Sequence, residues 1–556
     1  MSLFVREPKH TAVHNESNWT VVLTVWATFI AYGALAAPVP GVNEPHYLCK
    51  SKHFWQPDWC ENDFFLASPN AHVVFYATIG SLTQWFSFPQ AAWIGRLLSN
   101  LLLAWGWTRC SSQLLFGRWS PLWSAWLFLS ISACGNFSGE WLVGGVEGKV
   151  PSYAFLLASL ADALRGRQVW AATWAGLAIS FHPVVGIWGV LAYAISQVIK
   201  TVWDAHQRKQ LRTRNAVTRA WSDDRENGQE TDFPKMRTSW VAAYLCPSVV
   251  LVLLSLPGLI PVVRLLTEPV SQDVRYSATY LQVFFRLNHH LDPMLFHRSA
   301  YFGYGVMILI WLLSFQWGGR TNSRKRFDQI VLWSVVFAVC GIVIGWGPRP
   351  PQLMPWFAQR MQLLKFYPFR VADLLVPAAL TVSLISVLER TLFTSGSKLQ
   401  WRSWLIRPEW LLFALFSAGL IRVHLLAESN RYSREDRADW QDVCAWIDQH
   451  LPADALVLAP TNCWTLKWYA HRAEYVSFKD CPQDAAGIVE WNRRLNFLQK
   501  WFETNYADEF YSAEELKELR RLTGISHLTT DRLGPLELEP LYRNETFQVY
   551  DLSSLK

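Results

Sequence analysis

The sequence predicts an α-helical polytopic membrane protein that ends in a small α/β domain. Three observations carry this. Long apolar runs alternate with short polar breaks between Trp19 and Leu426. Runs such as 19–39, 240–266, 329–346 and 371–388 reach the ~20 residues a helix needs to cross hydrocarbon. Beyond Ser429 the texture changes to short strand-like and amphipathic segments.

Of the 556 residues, 32 are Trp, a residue that favours the water–lipid boundary because its ring is apolar and its N–H is wet. Trp19, Trp85, Trp93, Trp107, Trp119, Trp346 and Trp401 fall at or near run ends, as that preference requires. The net charge of +7 points to no nucleic acid partner, because the basic residues cluster in loops. Loop clustering is instead the signal of topology. The clusters are Arg6 with Lys9, Arg109 with Arg118, Arg165 with Arg167, the stretch 203–237, Arg320 to Arg326, and Arg390 to Arg407.

All of these reach one side only if 72–88 does not cross. That segment is short, polar and ends at Pro89, so it reads as a helix lying in the outer interface. The spans are then 19–39, 91–108, 119–138, 150–164, 168–182, 184–200, 240–266, 300–317, 328–346, 370–388 and 408–426, which is about eleven crossings. The N-terminus is cytoplasmic, and the first run is too long for a cleaved signal, so it stays as an anchor. Residues 1–428 form the transmembrane domain, with an outer loop at 40–90 and a disordered, charge-rich cytoplasmic loop at 201–238. Residues 429–556 form an extracytoplasmic α/β domain.

In that domain 436–450 is amphipathic, with Trp440, Val443, Cys444, Ile447 and Leu451 on one face. Residues 455–459, 474–478, 526–529 and 547–552 read as strands, and 485–502 and 513–522 as helices. Alternation of strands and helices argues for an α/β fold. The spacing leaves open whether Cys49 bonds Cys60 and whether Cys463 bonds Cys481.

The outer side gathers the chemistry. The first loop carries Glu44 and His46 directly after the first span. The second carries Glu140, then Glu147 and Lys149 at the mouth of the next span. His182 and Pro183 mark a sharp turn, since Pro interrupts the helix. The fifth loop, 347–368, carries Arg349, Arg360 and Lys365 and suits a lid. Arg370 and Asp373 open the span after it, one turn apart, so they are also positioned to pair. Arg at that depth suits bidentate binding of a lipid phosphate. His289, His290 and Asp292 show no metal-ligand spacing, and no metal or other cofactor is expected.

This layout resembles the GT-C-type membrane glycosyltransferases. The resemblance rests on an acid soon after the first span (Glu44 in Asn43-Glu44-Pro45-His46-Tyr47), the interfacial segment after it, a span opening with Arg96 and closing on Arg109, a second acid at Glu147, a short turn with His182, and the extracytoplasmic tail. The family often has Asp where this chain has Glu44, and Lys where it has His182. The resemblance implies transfer of a sugar from a polyprenyl-phosphate donor to a glycan, lipid or protein acceptor, in a plasma (inner) membrane. It implies Glu44 as general base and Glu147 as the group orienting acceptor or base. His46, Lys149, His182, Arg349, Arg370 and Asp373 would bind substrate, the cations offsetting the leaving phosphate. A transporter or flippase for lipid-linked glycans would share the interfacial charges, but such folds show internal repeats and charge near mid-membrane, and neither is evident. A non-catalytic scaffold is the third reading.

Overall fold

The computed structural model describes residues 18–221, 239–316, 321–394, 408–429, 434–531 and 533–555. Every expected crossing is a helix: Trp19–Ala36, Phe88–Ser111, Ser120–Ala133, Lys149–Leu164, Gln168–Phe181, Pro183–Trp221, Ser239–Leu266, Arg298–Leu313, Asn322–Gly345, Arg370–Thr394 and Pro408–Ser429. Among the described residues, 7 helices are long and apolar enough to cross a membrane by length and composition. The others, Phe88–Ser111, Ser120–Ala133, Lys149–Leu164 and Gln168–Phe181, are shorter or carry more polar groups. Lys149–Leu164 is buried along nearly its whole length. A helix enclosed by protein needs no lipid-facing stripe, so its composition is set by its neighbours rather than the bilayer.

Local chemistry sets the helix ends. Asn18 accepts from the Thr20 amide, and Thr321 accepts from the Arg324 amide. Ser87 and Gln90 form a capping box at Phe88, with Pro89 in the first turn. Gly106 lets Phe88–Ser111 approach Lys149–Leu164 closely, because a Cβ there would meet the Ala154 carbonyl.

Two expectations change. Residues 72–88 are not one interfacial helix. A single α turn, Val73–Ala77, breaks at Thr78 and continues as a 3-10 helix, Ile79–Gln84. The Thr78 hydroxyl bonds the Val74 carbonyl, and Gly80 lies so close to Ser51 that no Cβ would fit. The charged stretch after residue 201 is not a disordered loop over its first part, because the helix from Pro183 runs on to Trp221. Its Lys, Arg, Gln, Leu and Ala residues are good helix formers that extend an existing helix without a new nucleus. The rest of that loop lies outside the described residues, as do Arg6, Lys9, Arg320, Lys398, Arg402 and Arg407.

The tail is an α/β domain. Its sheet has 5 strands in the order β2-β1-β3-β5-β4, with β1 Leu456–Leu458, β2 Ala473–Glu474, β3 His527–Thr530, β4 Tyr542–Arg543 and β5 Gln548–Asp551. β1 runs parallel to β2 and β3, while β5 runs antiparallel to β3 and β4. Side chains alternate across the sheet. Val457 and Val549 face Arg434–His450 through Trp440, Val443 and Ile447. Leu458 and Tyr550 face Ala485–Asn505 and Ala513–Thr523 through Trp491, Leu498, Leu516 and Leu519. The short helix Leu466–Ala470 and strand β4 had no periodic signal in the sequence. All 9 cysteines are free, and Cys463 and Cys481 pack in different cores of this domain.

Candidate active site

Glu44 starts the helix Glu44–Trp55 and is fully buried. Its Oε1 accepts from Arg96 Nε at 2.6 Å and from the Val146 amide at 2.8 Å. Its Oε2 accepts from Arg96 Nη2 at 2.7 Å and from the Gly41 amide at 2.6 Å. Glu44 is therefore not a lone carboxylate but one paired with Arg96. All four acceptor directions are in use, so Glu44 organises the loop at 37–46 and the loop at 145–147 around Arg96.

The remaining acids and cations do converge. Lys149 Nζ lies 3.0 Å from Glu147 Oε1 and 3.3 Å from Glu140 Oε1. It also sits 3.8 Å from the Trp141 ring centre. The other oxygen of Glu140 takes Arg370 Nε at 2.9 Å. The other oxygen of Glu147 takes the Asn43 amide at 3.1 Å. Arg370 lies over the Tyr367 ring at 4.2 Å, and its Nη1 meets His182 Nε2 at 3.2 Å. The site therefore runs as one connected set from Glu44, through Asn43, Glu147, Lys149 and Glu140, to Arg370 and His182. Glu140, Arg96, Asn43 and Tyr367 were not singled out as site residues by sequence. Arg96 carried a signal, since an ionisable group inside an apolar run marks a functional position by default.

His182 sits against Arg370, whose Nη1 faces its Nε2, while the Val185 amide lies 3.4 Å from its Nδ1. The ring is buried and is placed to orient Arg370. His72 stands against it, ring centres 5.5 Å apart, and is driven down to about 3 by burial, with His46 and Arg370 adding.

Asp373 does not pair with Arg370. It accepts from the Phe137 amide at 2.7 Å, the Ser138 amide at 2.9 Å, the Ser138 hydroxyl at 2.6 Å and the Glu140 amide at 3.3 Å. It fixes the loop that presents Glu140. Arg349 joins a different set: it pairs with Asp292 and lies over Phe284. The proposed lid contains a helix, Phe357–Leu364, whose Phe357 ring packs on Tyr280 and Phe284.

His46 points to the tail. Its Nδ1 bonds Asp480 at 2.9 Å. Asp480, Glu474 and Asp63 surround the buried Lys467 at 2.9, 2.6 and 3.3 Å. This clasp fastens the first loop to the tail domain, and His46 is part of it. It also places the tail over the end of the bundle that holds Glu140, Glu147 and Arg370. The opposite end holds separate polar contacts. Arg109 meets Asp162 at 2.7 Å, and Glu389 accepts from the Phe116 and Gly117 amides at 2.9 and 2.6 Å.

A family model described as a domain of unknown function (DUF6798) matches residues 438–498, which include Lys467, Glu474 and Asp480. No curated protein matches the chain. Among solved structures the chain is similar to the crystal structure of ArnT from Cupriavidus metallidurans bound to undecaprenyl phosphate. That similarity has 14% sequence identity and a TM-score of 0.46, and covers 97% of this chain and 99% of that chain.

Proposed function

We propose that this chain is a GT-C-type membrane glycosyltransferase that moves a sugar from a polyprenyl-phosphate donor to an acceptor at the extracytoplasmic face. The observation that supports it is the sharing of Lys149 between Glu140 and Glu147, with Arg370 on the second oxygen of Glu140. Two carboxylates and two cations in one enclosed cluster supply both halves of a glycosyl transfer. A carboxylate takes the proton of the acceptor hydroxyl. The cations offset the charge that grows on the departing phosphate.

Glu147 is the general base in this reading, because among the described residues its second oxygen is held by the neutral Asn43 amide and by no charge. The acceptor oxygen gives its proton to Glu147 and bonds the anomeric carbon. The bond from that carbon to the phosphate oxygen breaks, and the phosphate leaves with the electron pair. Arg370 and Lys149 receive it. Their attraction to phosphate loosens Lys149 from Glu147, which leaves the carboxylate free to accept the proton. Glu44, Asp373 and His182 act by holding Asn43, Glu140 and Arg370 in place.

The test is transfer of labelled sugar from a panel of polyprenyl-phosphate donors by the purified chain in vesicles. Glu147→Gln is expected to lower the rate about 10²–10⁴-fold while donor binding persists. A wild-type rate in that variant removes Glu147 as base. Sidedness is read by thiol labelling of cysteines placed in 347–368 and in 203–237. Labelling of both from the same side overturns the topology.

A further inference from the structure

Arg286 lies four residues before His290, whose ring faces Tyr367 beneath Arg370, and has no part in the chemistry above. It ends a π-helical turn, Leu281–Arg286, in which the Leu287 amide bonds the Gln282 carbonyl. Single π turns insert a residue and re-aim the side chains beyond it, and they are common at functional positions. Here Phe285 of the turn docks on the tail domain, its ring 5.8 Å from Phe478 and 6.0 Å from Trp491. Arg286 is the next residue. Its Nη2 donates to the Lys479 carbonyl at 2.9 Å, and its guanidinium lies over the Phe478 ring at 5.3 Å.

That is its only hydrogen bond among the described residues, and no carboxylate pairs with it there. Its Nε is shut off from solvent without a partner. The contrast with its neighbours is chemical. Arg370 and Lys149 are offset by Glu140 and Glu147. Arg286 keeps an uncompensated charge on a planar fork of donors. Burial first holds His46 and His289 below the ordinary histidine range, with the charges of Lys479 and Arg286 adding to it and Asp480 opposing it at His46. Four residues on from Arg286, His290 meets the Ser138 carbonyl, and its ring lies 6.4 Å from Tyr367, the ring beneath Arg370. Arg286 is thus seated on the tail domain, close along the chain to the contact that reaches Tyr367 and Arg370 on the helix bundle.

We propose that Arg286 binds a phosphate-type anion entering this space, carried either by the lipid-linked donor or by the acceptor. This deepens the glycosyltransferase reading and rests on it.

The experiment measures binding of undecaprenyl phosphate, and separately of inorganic phosphate, to the full chain in phosphatidylcholine nanodiscs. Uncharged undecaprenol is the control. Arg286→Gln is expected to weaken an anionic probe about tenfold, as loss of a charge-assisted hydrogen bond does, and to leave undecaprenol unchanged. Loss for undecaprenyl phosphate alone assigns the anion to the carrier. Loss for inorganic phosphate assigns it to a phosphate independent of the carrier. Unchanged affinity for both overturns the proposal. Arg370→Gln run in parallel separates the two claims. If it weakens undecaprenyl phosphate while Arg286→Gln does nothing, only the role of Arg286 fails. If neither variant has an effect, the reading of the whole site fails. Should Arg286→Gln not fold, the wild-type structure with undecaprenyl phosphate decides. A phosphate within about 4 Å of the guanidinium supports the proposal, and a phosphate out of its reach overturns it.

Discussion

Arg96 grips both carboxylate oxygens of Glu44, from Nε at 2.6 Å and from Nη2 at 2.7 Å, in a place closed to solvent. Removing one partner of such a pair leaves the other charge buried and alone. Arg96→Met should therefore cost about 3–5 kcal/mol of stability, and the double variant Arg96→Met with Glu44→Gln should recover a large part. Thermal unfolding in detergent reads both. A double variant as unstable as the single one would show that Arg96 matters through packing or its bond to the Ala37 carbonyl, not through Glu44.

The same pair shows what was legible in the sequence. Apolar run length located the helices of the bundle, and the acids and cations at the run ends pointed to residues that the structure brings together. The partners of those charges were not legible, because Arg96 and Glu44 are neighbours only after the first and second long helices pack. Asp373 is a sharper case. Local spacing favours Arg370 as its partner, yet the amides of Phe137, Ser138 and Glu140 win, since a buried carboxylate gains more from several aligned donors than from one side chain. The break at Thr78 and the continuation of the helix through 201–221 depend on a tertiary contact at Gly80 and on a helix already nucleated upstream. Residue composition alone carries neither.

Coupling energies distinguish the two possible partners of Arg370. A double-mutant cycle between Arg370 and Glu140 should give about 1–3 kcal/mol, the range for groups in direct contact. The cycle between Arg370 and Asp373 should give a smaller value. Asp373→Asn by itself should destabilise by about 1–3 kcal/mol, because an amide cannot accept from all the donors of 137–140. Chemical or thermal denaturation of the three single and two double variants measures each term. A larger coupling to Asp373 than to Glu140 would return Arg370 to the local pairing.

His72 gives the site an acid limit. Burial first, then the charges of His46 and Arg370, lowers its pKa from the ordinary 6.5 to about 3. The unfolded chain therefore binds a proton at His72 that the folded chain refuses. Its contribution to stability is complete above pH 6.5 and declines as pH falls toward 3, by at most ~1.4 kcal/mol per pH unit. His72→Gln should flatten that part of the stability–pH curve and leave it unchanged above pH 7. Melting temperatures from pH 4 to 8 check this, and parallel curves for wild type and variant would show that His72 titrates as it does in water.

Lys467 is the point where the tail domain holds the first loop. Its ammonium lies 2.6 Å from Glu474, 2.9 Å from Asp480 and 3.3 Å from Asp63. The backbone closes the same joint, since the Glu474 amide donates to Asp63 at 2.9 Å. Two of the acids belong to the tail and one to the loop, so the lysine is what makes their approach favourable. Without it three buried carboxylates face one another. Lys467→Met should cost about 3–5 kcal/mol and loosen both sides together. Hydrogen exchange should rise in 44–67 and in 466–484. Because Glu44, Asn43 and His46 sit at the start of the loop helix, the contact between Asn43 and Glu147 should weaken as well. Transfer should then fall through a poorer base position, with donor binding at Arg370 retained. Faster exchange confined to the tail, with 44–67 unchanged, would mean that the loop is held by the bundle and that Lys467 serves only the fold of its own domain.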